Sequence, residues 1–170
     1  MQQFERRGNS LSETDKVIFL RSLEAQVRFL KSNLEVDIGG NHLVKNIKAL
    51  LWASQFFDGP EARRWGKLGS QLLRKALIEQ VTSDGVHFEL SPAYHAQVFA
   101  DLLECYSVLD DGTVKSELKI VLPKMAQFLT DVVHPDGMVS LFSDGGLNMS
   151  YSPRECLSIF EQLINAKVQQ

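Results

Sequence analysis

Apolar residues recur at steps of three and four along almost the entire chain, and that spacing limits the fold more than any other feature. Leu20, Leu23, Val27, Leu30 and Leu34 fall on one helix face. Leu43, Val44, Ile47, Leu50 and Leu51 repeat the pattern at i, i+1, i+4, i+7 and i+8. The spacing predicts a first helix opened by Ser12 and Asp15 as a capping pair and ended or bent at Gly39-Gly40, then a second over about 42–57. Three later helices share one starting device. Asp58-Gly-Pro60-Glu61, Ser91-Pro92 and Ser152-Pro153-Arg-Glu155 each set a short polar side chain beside a proline. The polar group satisfies free N–H groups, and the proline costs nothing in a first turn where its N–H would be unpaired. These starts predict helices over roughly 60–80, 92–109 and 153–166.

A further helix is expected over about 113–133, with Leu118, Val121, Leu122, Met125, Phe128 and Leu129 as its apolar set. Pro123 lies inside it and predicts a kink or break near residue 122. The helix after Ser91 is apolar on two sides, with Tyr94, Val98, Leu102, Cys105 and Leu109 on one and Phe99, Leu103 and Tyr106 on the other. Such a helix is sandwiched between neighbours. Residues 81–90 and 134–151 break the helical rhythm; rich in Gly, Asp and Ser, they read as long connections with turns or short strand pairs. The expected fold is all-α: antiparallel helical hairpins in layers, with short strand-like loop segments.

Charge and composition narrow the function. The 170 residues suffice for one domain or a large piece of one. Eighteen Lys and Arg against twenty-one Asp and Glu give a net charge of −3, so the basic surplus that holds nucleic acid through its phosphates is missing. No apolar run approaches the ~20 residues of a membrane span. The start, Met1-Gln-Gln-Phe-Glu-Arg-Arg, lacks the apolar core of an export signal. Cys105 and Cys156 lie far apart with no CxxC spacing and read as buried free thiols. With no HExxH, GxSxG or phosphate-cradling glycine loop either, no metal or other cofactor is expected.

Two clusters can carry chemistry. In Gly39-Gly-Asn41-His42-Leu-Val-Lys-Asn46, His42 and Asn46 share a helix face at a helix start, where backbone N–H groups and a partial positive charge suit an anion. The plainer alternative has Asn41 capping the helix and His42 packing. In Asp84-Gly-Val-His87-Phe-Glu89-Leu-Ser91-Pro-Ala-Tyr94-His95, two histidines, a glutamate and a tyrosine gather on a loop and a first helical turn. The plainer alternative has Ser91 as a cap, Tyr94 as core and Glu89 as a solvated charge. His134, beside Pro135-Asp-Gly137, reads as a turn residue.

These stretches resemble the heparinase II/III-like polysaccharide lyases. The likeness runs through Asn33-Leu-Glu-Val-Asp-Ile-Gly-Gly-Asn41-His42-Leu-Val-Lys-Asn46, Phe56-Phe-Asp-Gly-Pro-Glu-Ala-Arg-Arg-Trp65, Glu79-Gln80, the His87–His95 cluster and Pro135-Asp-Gly-Met-Val-Ser-Leu-Phe-Ser-Asp144. It spans roughly residues 15–165. Val86, Leu90 and Ala93 stand where many members have Gly, a polar residue and Met, and Ala93 implies a reshaped pocket beside Tyr94.

The resemblance implies an α/α toroid followed by a β-sandwich, with a uronic-acid polysaccharide such as heparan sulfate or alginate cleaved between them by β-elimination. It implies that Asn41 and His42 contact and neutralise the uronate carboxylate, and that Tyr94 protonates the leaving oxygen and in some members also acts as base. His87 and His95 are candidates to tune Tyr94, Glu89 to orient one of them, and Asn46 to join His42 in holding substrate. A further catalytic His or Tyr of relatives has no counterpart here, so the chain reads as one helical domain over 1–170, the second half of a toroid without its β-sandwich. The expectation for this chain alone is weak glycan binding without turnover. It is also expected to form a homodimer if the helix after Ser91 has lost its cover. By resemblance its setting is periplasmic or secreted. A non-catalytic helical carbohydrate-binding or interaction module is the alternative, and a plain helical scaffold the third reading.

Overall fold

Ser12 opens the first helix as the sequence predicts. In a computed structural model, which describes residues 12–146 and 148–165, its Oγ accepts the Asp15 N–H at 3.1 Å and donates to Asp15 Oδ2 at 2.6 Å. Met1 to Arg7, where the sequence shows no apolar core of an export signal, lie outside the described residues. The chain divides into two compact units, Met1–Leu34 and Glu35–Gln170. In the first, α1 covers Glu13–Ser32, with Glu13 and Asp15 in its first turn and Lys31 in its last, the charge order that a helix dipole favours. The helix stops well short of Gly39. The Asn33 backbone N–H bonds the Leu30 carbonyl and its side-chain amide bonds the Phe29 carbonyl at 2.8 Å, closing the last turn.

The second unit holds α2 (Gly40–Phe56), α3 (Pro60–Gln80), α4 (Pro92–Val108), α5 (Thr113–Val132) and α6 (Pro153–Ile164). Helices α2 and α3 form an antiparallel hairpin with close backbone approach. A Cβ on Gly66 would meet Ser54 Oγ at 2.9 Å, and one on Gly69 would meet Leu51 Cδ2 at 3.0 Å. Helices α4 and α5 form a second hairpin. His95 meets the Met125 carbonyl toward one end, and the Lys115 ammonium lies 5.0 Å from the Tyr106 ring centre toward the other. The hairpins join through Arg74 and Glu117 (2.8 Å) between α3 and α5, and through a buried charge cluster between α2 and α4. Helix α6 lays Phe160 against Phe99 of α4, centroids 5.9 Å apart.

The predicted proline-marked starts hold: Ser91 Oγ accepts the Tyr94 N–H and Ser152 Oγ the Glu155 N–H. At α3 the cap is Gly59, and no side chain bonds there. Helix α2 begins two residues earlier than expected, at Gly40. Helix α6 ends at Ile164 with Asn165 left-handed, so the predicted continuation to 166 lies outside the described residues. Helix α5 runs through Pro123 without a break. Proline removes one hydrogen bond to the Lys119 carbonyl, whose residue is exposed. Packing outweighs that loss, since Leu118, Leu122, Met125, Ala126 and Leu129 are all fully buried.

Helix α4 is sandwiched as predicted, burying residues from Pro92 to Tyr106 on both sides. That cover removes the reason for expecting a homodimer through an uncovered α4. Among the described residues the connections carry no strand, only isolated antiparallel bridges Val81–His87 and Val133–Val139. Gly85 allows the first connection to lie against α5: its φ is +92°, and a Cβ there would sit 2.6 Å from the Lys124 carbonyl carbon. Cys105 and Cys156 are buried free thiols, and burial pushes Cys156 up to about 11. No helix of the described residues is long and apolar enough to cross a membrane.

The charge cluster sets the helix register. Asp101 on α4 is fully buried and takes Lys45 Nζ at 2.7 Å and Lys48 Nζ at 2.6 Å from α2. Lys48 also reaches Glu104 at 3.1 Å. Burial alone would lower the Lys48 ammonium pKa, but hydrogen bonding and attraction to Asp101 and Glu104 outweigh it and the net direction is up. The pairs 45–101 and 48–104 advance together, so α2 and α4 run parallel. Asp101→Ala strands Lys48 without its buried partner and is expected to cost about 3 kcal/mol in urea denaturation. A loss below about 0.5 kcal/mol, ordinary for an exposed site, would contradict this reading of the cluster.

Candidate functional site

Because α2 and α4 are parallel, both N-termini lie at the same end of the layer, and both predicted clusters lie there. Asn41 and His42 occupy the first turn of α2. The cap is Gly39, with φ +68°, so Asn41 does not cap the helix. Asn41 is half-buried and His42 exposed. Tyr94 sits in the first turn of α4, half-buried, and its hydroxyl has no hydrogen-bond partner among the described residues.

The connection 81–91 is pinned between these N-termini. The Glu89 carboxylate lies directly against Gly40, where a Cβ would collide with Oε1. Burial chiefly raises the Glu89 pKa; repulsion from Asp144 adds to this and attraction to His42 opposes it. Asp144 arrives on the loop before α6, which is tied down beside Tyr94. Ser143 Oγ donates to the Leu90 carbonyl at 3.1 Å, and the Gln97 amide donates to the Met149 carbonyl. Gly145 packs so that a Cβ would lie 3.3 Å from Ser91 Oγ and from Ala93 Cβ.

The fold takes up the remaining candidates His87, His95 and Asn46. His87 and His95 are fully buried. The His87 backbone N–H donates to His95 Nδ1 at 3.3 Å, and His95 Nε2 donates to the Met125 carbonyl at 3.0 Å. His95 also packs edge-on to Phe128, centroids 4.7 Å apart. Desolvation lowers both imidazoles to about 4, and in His87 the charge of His95 adds to it. Both rings are therefore neutral at pH 7 and give Tyr94 no positive charge; the His95 ring staples the connection to α4 and α5, while the His87 ring lies 3.5 Å from Gln80 Oε1 of α3 and its Nδ1 has no partner among the described residues. Asn46 is buried and spends both polar ends on Glu35: its Oδ1 accepts the Glu35 N–H and its Nδ2 donates to Glu35 Oε2, each at 2.9 Å. His134 is the turn residue expected, with its N–H on the Met138 carbonyl.

The sequence reading passed over Glu35 and Asp144. Both lie inside quoted motif stretches, but each comes from a loop, where no periodicity tells which residue reaches the site. Glu35 Oε1 lies 3.2 Å from His42 Nδ1. The site is an open rim. The grooves of about 450 Å³ (lined by Arg63, Lys67 and Lys115) and about 440 Å³ (lined by Arg154 and Glu161) lie elsewhere. Among the described residues no group of three or more His, Cys, Asp or Glu could hold a metal ion.

Residues 1–165 match the sequence profile of the Heparinase II/III N-terminus. The heparin-sulfate lyase of Bacteroides stercoris is 30% identical over 113 residues, 64% of this chain and 17% of that protein. That of Bacteroides thetaiotaomicron is 28% identical over 158 residues, 85% of this chain and 22% of that one. That of Pedobacter heparinus is 28% identical over 134 residues, 74% and 20%. The chain thus spans about a fifth of the length of these relatives. The crystal structure of heparinase III matches 87% of this chain and 24% of its own, with a TM-score of 0.69 at 24% identity. That likeness establishes the fold as helical hairpins forming part of an α/α toroid.

The buried histidines make stability depend on pH. The unfolded chain takes up their protons near pH 6.5, whereas the folded chain holds both rings neutral until about pH 4. Their contribution is therefore complete above pH 6.5 and is lost progressively as pH falls toward 4. The expected loss is at least about 3 kcal/mol over that window. NMR titration should find neither ring protonating above pH 5; a ring that titrates near 6.5 in the folded protein would overturn its assignment as a buried staple.

Proposed function

From the chain's membership of the heparinase II/III family, we propose that it supplies part of the active site of a polysaccharide lyase acting on uronic-acid glycans, glycosaminoglycans such as heparan sulfate foremost. The heparin-sulfate lyases among its relatives support the substrate class. The observation that carries the reading is the parallel register of α2 and α4, which sets Asn41, His42 and the unpartnered Tyr94 hydroxyl at one end of one layer.

β-Elimination removes the proton α to a uronate carboxylate and expels the 4-O glycosidic oxygen. Beside an ionised carboxylate that proton is very weakly acidic, since its removal builds a dianion. Hydrogen bonds and positive potential on the carboxylate lower this barrier. Asn41 and His42 provide donors, and the first-turn N–H groups of α2 add the partial positive charge of a helix start. The Tyr94 hydroxyl carries a proton and faces no partner among the described residues, so it suits the donor half of the reaction, delivering that proton to the leaving oxygen. Glu35, Glu89 and Asp144 would repel an anionic glycan, so their carboxylates act by holding the loop and helix start in place. The toroid helices work with a β-sandwich and a further His or Tyr, as the family resemblance implies, in a periplasmic or secreted setting.

In the complete lyase, Tyr94→Phe keeps the ring and deletes the hydroxyl. Turnover, followed by absorbance of the C4–C5 double bond in the product, is expected to fall about a hundred- to ten-thousand-fold with little change in melting temperature. Near-normal turnover would remove Tyr94 from the mechanism. His42→Gln still offers a donor and should retain more activity than His42→Ala; equal loss would point to proton transfer by His42 in place of carboxylate neutralisation. The 170 residues alone are expected to bind uronans weakly and to release no product.

A further inference from the structure

Glu35 is unusually constrained for a loop residue. Its backbone N–H is held by Asn46 Oδ1 and its Oε2 by Asn46 Nδ2, each at 2.9 Å, so one buried amide fixes both ends of the residue. That leaves Oε1 for His42 Nδ1 at 3.2 Å. The Glu35 and His42 side chains are 37% and 55% exposed. An ion pair so open to water adds little stability. A buried asparagine committed wholly to one exposed carboxylate is better explained by what that carboxylate does to the imidazole.

We propose that Glu35 is the positioning residue of His42: clamped by Asn46, it accepts the Nδ1–H and leaves Nε2 as the ring nitrogen presented to the glycan. In the neutral ring this fixes the Nδ1–H tautomer. The protonated ring donates from both nitrogens, one to Glu35 and the other to the uronate carboxylate. A carboxylate that orients a working histidine through its far nitrogen is a recurrent device in enzymes. Glu89 from the 81–91 connection and Asp144 beyond it also bring charge to this end. The Glu89 carboxylate lies against Gly40, and Asn46 holds only Glu35. The inference rests on the lyase reading for the identity of the ligand, but not for the tautomer.

The test has two arms on the folded protein, checked by circular dichroism. Long-range ¹H–¹⁵N NMR at a pH where His42 is neutral should find the Nδ1–H tautomer in the parent protein and a shift toward Nε2–H in Glu35→Ala, with Glu35→Gln nearer the parent because its amide oxygen still accepts. In the lyase assay on the complete enzyme, Glu35→Ala should lower kcat at least tenfold with KM changed less than threefold, and Glu35→Gln should recover part of it. An unchanged His42 tautomer in Glu35→Ala, or full activity in that variant of an active lyase, overturns the proposal. A complete enzyme inactive on every uronan tested, with the tautomer shift still present, would overturn the lyase reading and leave the Glu35–His42 assignment standing.

Discussion

Asp101 carries a full negative charge into the interior, and the arrangement of the second unit depends on how that charge is met. A buried carboxylate tolerates few geometries, since leaving it unpaired costs several kcal/mol. Here two lysines one turn apart on α2 converge on it. Apolar packing alone permits helices to slide by a turn with little loss, because one leucine replaces another. Ionic contacts at Asp101 do not permit the slide. They fix α2 against α4 in direction and in register, while Phe99, Leu102 and Leu103 fill the surrounding core.

Everything at the rim inherits that register. With α2 and α4 parallel, two helix starts face one way, and the connection 81–91 crosses between them. Its inner side is nailed down by the neutral His95 ring, which joins the His87 backbone to the Met125 carbonyl of α5, and its outer side by Glu89 against Gly40. The loop before α6 closes beside Tyr94 through Ser143 and Gln97. Polar groups divide accordingly: His87, His95 and Asn46 are consumed by the fold, and Asn41, His42 and Tyr94 remain open. Glu35, Glu89 and Asp144 put negative charge at this rim, so on the proposed reading recognition of an acidic sugar would fall to directed donors and helix starts more than to net charge.

The helical part of this was legible because helix-forming information is local. Apolar spacing and capping residues act within a few positions, so Ser12, Ser91 and Ser152 announced their helices. The α2 start was misplaced by two residues because glycine caps through backbone freedom and leaves no side-chain signal. Pro123 misled in the other direction: the local penalty is real, but burial of five neighbouring side chains exceeds it. The burial of His87 and His95 was hidden for a related reason. A cluster of titratable residues looks the same in sequence whether the rings face water or a carbonyl such as that of Met125. Glu35 and Asp144 needed the tertiary fold, since loops bring them to His42 and Glu89 across separations that no period encodes.

The proposed function requires an acidic glycan to meet the protein at the shared N-terminal end of α2 and α4. Titrating ¹⁵N-labelled protein with a heparan sulfate tetrasaccharide, and with an alginate tetrasaccharide beside it, tests this most directly. Saturable amide shifts are expected, confined to residues 39–46, 89–97 and 142–146, with the His42 ring among the groups that move most. Shifts centred instead on the opposite groove around Arg63, Lys67 and Lys115, or no shift with either sugar, would contradict it.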